Sequence, residues 1–118
     1  MKFVAALAVV LSVAAACGPS AQQACDDFAV AFCSQNLACL QGGDLQTFQS
    51  AYGSDQTDCV ANYEALNCKP NQTPCPAGLG FDTGLYEQCV KDYQNASCID
   101  VSQPGFQPAS CSNGTVCH

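Results

Sequence analysis

Eleven cysteines are the main reactive side chains of this 118-residue chain, alongside one histidine, ten carboxylates and three basic residues. Cysteines at this density can hold a metal, run thiol chemistry or close disulfides, and spacing separates the three uses. No C-x-x-C pair occurs; the nearest neighbours, Cys33 with Cys39 and Cys111 with Cys117, have five residues between them. Zinc sites usually put about two to four residues inside the first ligand pair. Thioredoxin-type and c-haem motifs need C-x-x-C. The pattern therefore predicts disulfides, with no metal and no cofactor. His118 is the only histidine and stands last in the chain, where fraying makes a poor general base. A Ser-His or Cys-His mechanism is not expected.

Three carboxylate pairs, Asp26-Asp27, Asp55-Asp58 and Glu87-Asp92, have the residue type that glycoside hydrolysis uses. The first pair sits in the opening turns of a predicted helix and the second at a turn, so capping and solubility account for them. No D-x-D-x-D-G calcium loop is present. The histidine-aspartate helix pair of secreted phospholipases A2 is missing. N-x-S/T triplets at Asn71, Asn95 and Asn113 matter only in a eukaryotic secretory pathway. No catalytic residue is assigned, and the chain is not expected to be an enzyme.

The elements that position these residues begin with a leader. Lys2 precedes an apolar run from Phe3 to Ala16, broken only by Ser12, which is the form of a signal peptide. It is shorter than the roughly 20 apolar residues of a spanning helix. Its end, Val13-Ala14-Ala15-Ala16-Cys17, resembles a bacterial lipoprotein signal: Ala15, Ala16 and Cys17 fit, and Ala14 stands where leucine is usual. That resemblance implies removal of residues 1–16 and lipidation of Cys17. Ala14 and Ala16 also satisfy ordinary signal peptidase, which would leave a soluble secreted protein with a spare thiol. The cysteine count favours lipid. Eleven is odd, and an odd cysteine in an exported chain needs a purpose. With Cys17 acylated, Cys25, Cys33, Cys39, Cys59, Cys68, Cys75, Cys89, Cys98, Cys111 and Cys117 can pair completely.

The expected organisation is a leader at 1–16, a lipidated anchor and short tether at 17–20, and a cysteine-rich helical domain at 21–118. Removing the leader leaves 102 residues, one domain's worth, and moves the formal charge from −7 to −8 because Lys2 is lost. Arginine is absent, and only Lys69 and Lys91 remain as cations. Nucleic-acid binding is thereby excluded, as is electrostatic adhesion to anionic lipid. Membrane attachment would rest on the lipid anchor, with an envelope or extracellular protein as partner. Cysteine usage of this kind belongs to an oxidising compartment, so an exported, cell-envelope protein of the outer-membrane lipoprotein type is expected.

Within the domain the period is helical. Ser20 and Gln23 have capping-box spacing ahead of a helix running to about Leu40. It carries two apolar stripes, Ala21-Cys25-Phe28-Phe32 and Val30-Cys33-Leu37-Leu40, so neighbours should cover it on two sides. Gly42-Gly43 should end it. Asp44 can cap a short helix from Leu45 to Tyr52, closed by Gly53, and a third helix should span about Asp58 to Cys68. Prolines and glycines make 69–80 a loop. Asp82 or Thr83 opens a further helix with Leu85, Cys89, Tyr93 and Ala96 in register. From Ile99 onward an irregular tail is expected. The fold class is thus all-α, three or four short helices stapled by disulfides. Phe28, Phe32, Leu37, Tyr63, Leu66, Leu85 and Tyr93 should supply most of its core.

Cys59 to Cys68 and Cys89 to Cys98 both read C-V-x-x-Y-x-x-x-x-C. Ten cysteines allow about 945 pairings; the preferred one joins cysteines of the first helix to those of these two segments. The arrangement Cys25 with Phe28, Phe32-Cys33, Ala38-Cys39, Tyr52-Gly53 before Cys59, then Cys68, resembles small cysteine-rich lipoproteins of myxobacterial type. That resemblance implies a helical fold and an envelope location and adds no activity. The expected function is a structural or interaction lipoprotein. The alternative is a soluble secreted binding protein, either an inhibitor or a carrier of a small apolar ligand.

Overall fold

The Ser20 hydroxyl accepts the Gln23 amide at 3.1 Å and starts the longest helix among the described residues, so the local chemistry of the cap fixes where that helix begins. The computed structural model describes residues 20–69 and 75–118; the leader and Cys17 lie outside the described residues. Helix α1 covers Ala21–Cys39 and α2 Gly42–Tyr52, followed by α3 at Gln56–Asn67 and α4 at Thr83–Gln94. One-turn helices α5 (Cys98–Val101) and α6 (Asn113–Val116) flank a 3₁₀ turn at Ala109–Cys111. The described chain is all-α apart from an isolated antiparallel bridge between Phe81 and Cys117. Four principal helices and a mostly irregular tail match the class expected from the pattern.

Helix starts follow the predicted caps with one exception. Asp55 accepts the Asp58 amide at 2.8 Å and Asp82 accepts that of Leu85 at 2.9 Å. Gly42-Gly43 do not terminate α1 but open α2, with Gln41 at the cap and Asp44 inside the first turn, where the helix dipole still favours it. Asp26 and Asp27 fall beyond the first turn of α1, and Asp26 instead accepts a bond from Gln22. Gly53 ends α2 at φ 107°, and a Cβ there would meet the Cβ of Asp58 at 2.9 Å. Only glycine satisfies both the backbone and the close approach of α3.

Helix α1 is central, packed by α3 on one flank and by α4 and α5 on the other. Ala24, Ala29 and Ala31 are almost wholly buried, their small side chains letting the neighbours come close. All nine aromatic rings of the described residues form one connected cluster. Phe32 touches Phe28, Phe48, Tyr52, Tyr63 and Tyr93, and Phe28 reaches on to Tyr86, which meets Phe81. Phe106 extends the cluster into the tail through Tyr93.

Three expected core residues are displaced. Leu66 is 63% exposed because the side of α3 turned to α1 is that of Cys59, Tyr63 and the following Cys68, which α1 holds through Cys25 and Gln22. Leu85 is 38% exposed because α4 buries the face of Tyr86, Cys89, Val90 and Tyr93, one residue round from the stripe that starts at Leu85. Val30, assigned to a buried stripe of α1, is 48% exposed. Phe48, Val101 and Val116, absent from the expected core, are buried.

Candidate functional site

The ten cysteines of the described residues are all consumed in pairs. Cys25 joins Cys68, Cys33 joins Cys59, Cys39 joins Cys98, Cys75 joins Cys117 and Cys89 joins Cys111. The three α1 cysteines thus take partners from the two C-V-x-x-Y segments. Only Cys89 turns away, because its position on α4 faces the 3₁₀ turn. Disulfide sulfur offers neither a thiolate nucleophile nor a thiolate ligand. Among the described residues no cluster of three His, Cys, Asp or Glu side chains is placed to hold a metal.

Carboxylates serve local structure. Asp55 is a helix cap, while Asp92 accepts bonds from Ser110 at 2.6 Å and Gln88 at 2.8 Å. The Ser110 bond, then that of Gln88, holds the Asp92 carboxyl below the usual range. Tertiary folding brings together a set the sequence pairs did not indicate. Asp27 and Glu87, with Val30, Val90, Lys91 and Gln94, line a shallow groove of about 290 Å³ between α1 and α4. All ten carboxylates are exposed or half-buried, so the domain presents a solvated acidic exterior.

His118 is not frayed. Its amide donates to Gly80 at 3.0 Å, its carbonyl accepts the Gly80 amide at 2.9 Å, and its Nε2 lies 3.5 Å from the Asp82 carboxylate. The same Asp82 caps α4, so the imidazole, 63% exposed, sits over a helix start beside Phe81 and Thr83. That geometry makes a surface ion pair when His118 is protonated, an interaction worth about 0–1 kcal/mol.

Asn36, the one buried polar residue among the described residues, was not singled out from the sequence. Its Nδ2 donates to Phe32 O at 2.8 Å and to Tyr93 Oη at 2.9 Å, tying α1 to α4. A single asparagine in a helical stripe carries no sequence signal of burial. Burial pushes Tyr63 and Tyr93 above the ordinary phenol range, and Tyr86 up to about 12. The unfolded chain ionises its tyrosines near pH 10, so this contribution is intact below that pH and is lost as pH rises through about 12. At about pH 11 the native protein should therefore absorb less as tyrosinate than the same protein in guanidinium. Equal absorption would mean that these phenols are open to water.

Among the described residues no helix is long and apolar enough to cross a membrane. The five disulfides fit an exported protein. Comparison with protein-family models, curated proteins and solved structures finds no match.

Proposed function

We propose that the protein is a cell-envelope lipoprotein, held to the membrane by lipid on Cys17 and acting by contact rather than by catalysis. The observation that carries this reading is the parity of the disulfides. Ten cysteines satisfy one another, which leaves Cys17 without a partner inside the chain, directly after the small residues of an export leader. Lipidation gives that cysteine a purpose, and Gly18-Pro19 then hold the domain close to the bilayer. The acidic exterior, without arginine, suits contact with a protein partner and repels anionic head groups, so the acyl chains alone supply attachment. The nine clustered rings fill the space between helices that a carrier would keep for its ligand. Cys17→Ser should move the protein from the membrane fraction to the soluble one. A variant that still sediments with membrane would sink the assignment.

A further inference from the structure

The disulfides divide the described chain into two closed halves. Cys25–Cys68 and Cys33–Cys59 lie wholly within residues 20–69, and Cys75–Cys117 and Cys89–Cys111 wholly within 75–118. Cys39–Cys98, spanning 59 positions, is the one disulfide among the described residues that joins them. Its surroundings differ as well. Cys33, Cys59 and Cys89 are fully buried, and Cys68, Cys75, Cys111 and Cys117 are at most 8% exposed. Cys39 is buried like these, at 7%, but its partner Cys98 is exposed, and both line a surface depression of about 380 Å³ with Leu40, Asp44, Ile99 and Ser102. Ile99, 77% exposed, leaves apolar surface next to the sulfurs. The nearest rival, Cys25–Cys68, is half-buried at Cys25 and ties neighbouring helices of the same half.

We propose that Cys39–Cys98 is a thiol-exchange site, a redox-labile clasp between the two halves whose co-reactant is a dithiol. Access decides which disulfide exchanges first when the attacking thiol is the same. A thiolate of the dithiol attacks Sγ of Cys98, the S–S bond breaks, and Cys39 leaves as a thiolate that takes up a proton. The second thiol of the reductant gives up its proton and attacks the mixed disulfide. Cys98 is released and protonated, and the reductant departs as a disulfide. Two electrons have passed to the protein. Apart from the backbone that runs on between residues 69 and 75, the halves then meet through non-covalent contacts: Ala31 on Val90 and Tyr93, the rings of Phe28 and Phe32 on Tyr86 and Tyr93, the Asn36–Tyr93 bond, and the Gln35 side chain on Gln94 O. Helix α5, one turn long and anchored by buried Val101, is released from the end of α1 first.

The test is limited reduction of the full mature protein by substoichiometric dithiothreitol, with rapid alkylation and peptide mapping. Cys39 and Cys98 should be labelled at least about tenfold faster than the other eight cysteines. Another pair reacting first, or all five opening together with no two-thiol intermediate, would overturn the exchange site. The double variant Cys39→Ser/Cys98→Ser tests the clasp: its amide hydrogens in α5 and along the α1–α4 face should exchange at least about tenfold faster than in the parent, while those of α2 and α3 do not change. Unchanged exchange on the α1–α4 face would remove the clasp role.

Discussion

Full reduction is expected to unfold the protein at room temperature near neutral pH without added denaturant. The reason lies in what fills the centre. The largest fully buried side chains are Val116, Cys33, Cys59 and Cys89, so half-cystines stand where a larger domain would place leucine and phenylalanine. The aromatic rings that surround them are mostly half-buried. A core of this kind leaves a small domain dependent on its staples. The disulfides span 22 to 59 positions. Closing loops of that size is worth about 3–4 kcal/mol each in the chain-entropy account, less where loops overlap. Their combined effect matches or exceeds the whole margin of about 5–15 kcal/mol that a domain usually has. The formal charge of −7 adds self-repulsion to the same side. Near-ultraviolet dichroism checks this directly. A fully reduced protein that keeps its native spectrum and a cooperative melt would show that the rings alone hold the fold.

Phe32→Ala should be the most damaging single substitution that leaves every disulfide intact. Phe32 belongs to both aromatic groups of the core, packing on Tyr93 from α4 and on Phe48, Tyr52 and Tyr63 from α2 and α3, while Phe28 adds one further link through Tyr63. Its centroid lies 4.8 Å from that of Tyr63 and 5.3 Å from that of Tyr52. Truncating a packed phenylalanine costs about 3–5 kcal/mol, which in a domain of this size lowers the melting temperature by more than about 10 °C. Leu66→Ala is the matched control: its side chain is 63% exposed, and surface changes of this kind stay within about 0.5 kcal/mol. Thermal melts of the two oxidised variants decide the point. Equal losses would mean that the ring cluster is not the non-covalent core.

Local chemistry made much of this fold legible in advance. Ser20, Asp55 and Asp82 are short polar side chains ahead of apolar periods, and each caps the helix it precedes because capping depends only on residues three positions away. Gly53 closes α2 for an equally local reason. Where the reading of the core failed, the deciding neighbour was distant in sequence. Leu66 and Leu85 lie in apolar stripes, but a stripe fixes only a face to within a residue or so, and which edge is covered depends on how α3 and α4 roll against α1. Asn36 is buried only because Tyr93, 57 positions away, comes to meet its amide.

The sequence by itself determined composition, charge, helix period, the caps of α1, α3 and α4 and the odd number of cysteines, since each follows from residue identity and short spacing. From these came the all-α class and the reading of Cys17 as an anchor. Only the tertiary structure decided which cysteines pair, because a disulfide needs its Cα atoms about 4.4–6.8 Å apart and sequence spacing does not report that distance. The same dependence on long-range packing made Cys39–Cys98 the link between two closed halves, exposed on its Cys98 side. It also pinned His118 against Gly80 and gathered Asp27 and Glu87 around one groove.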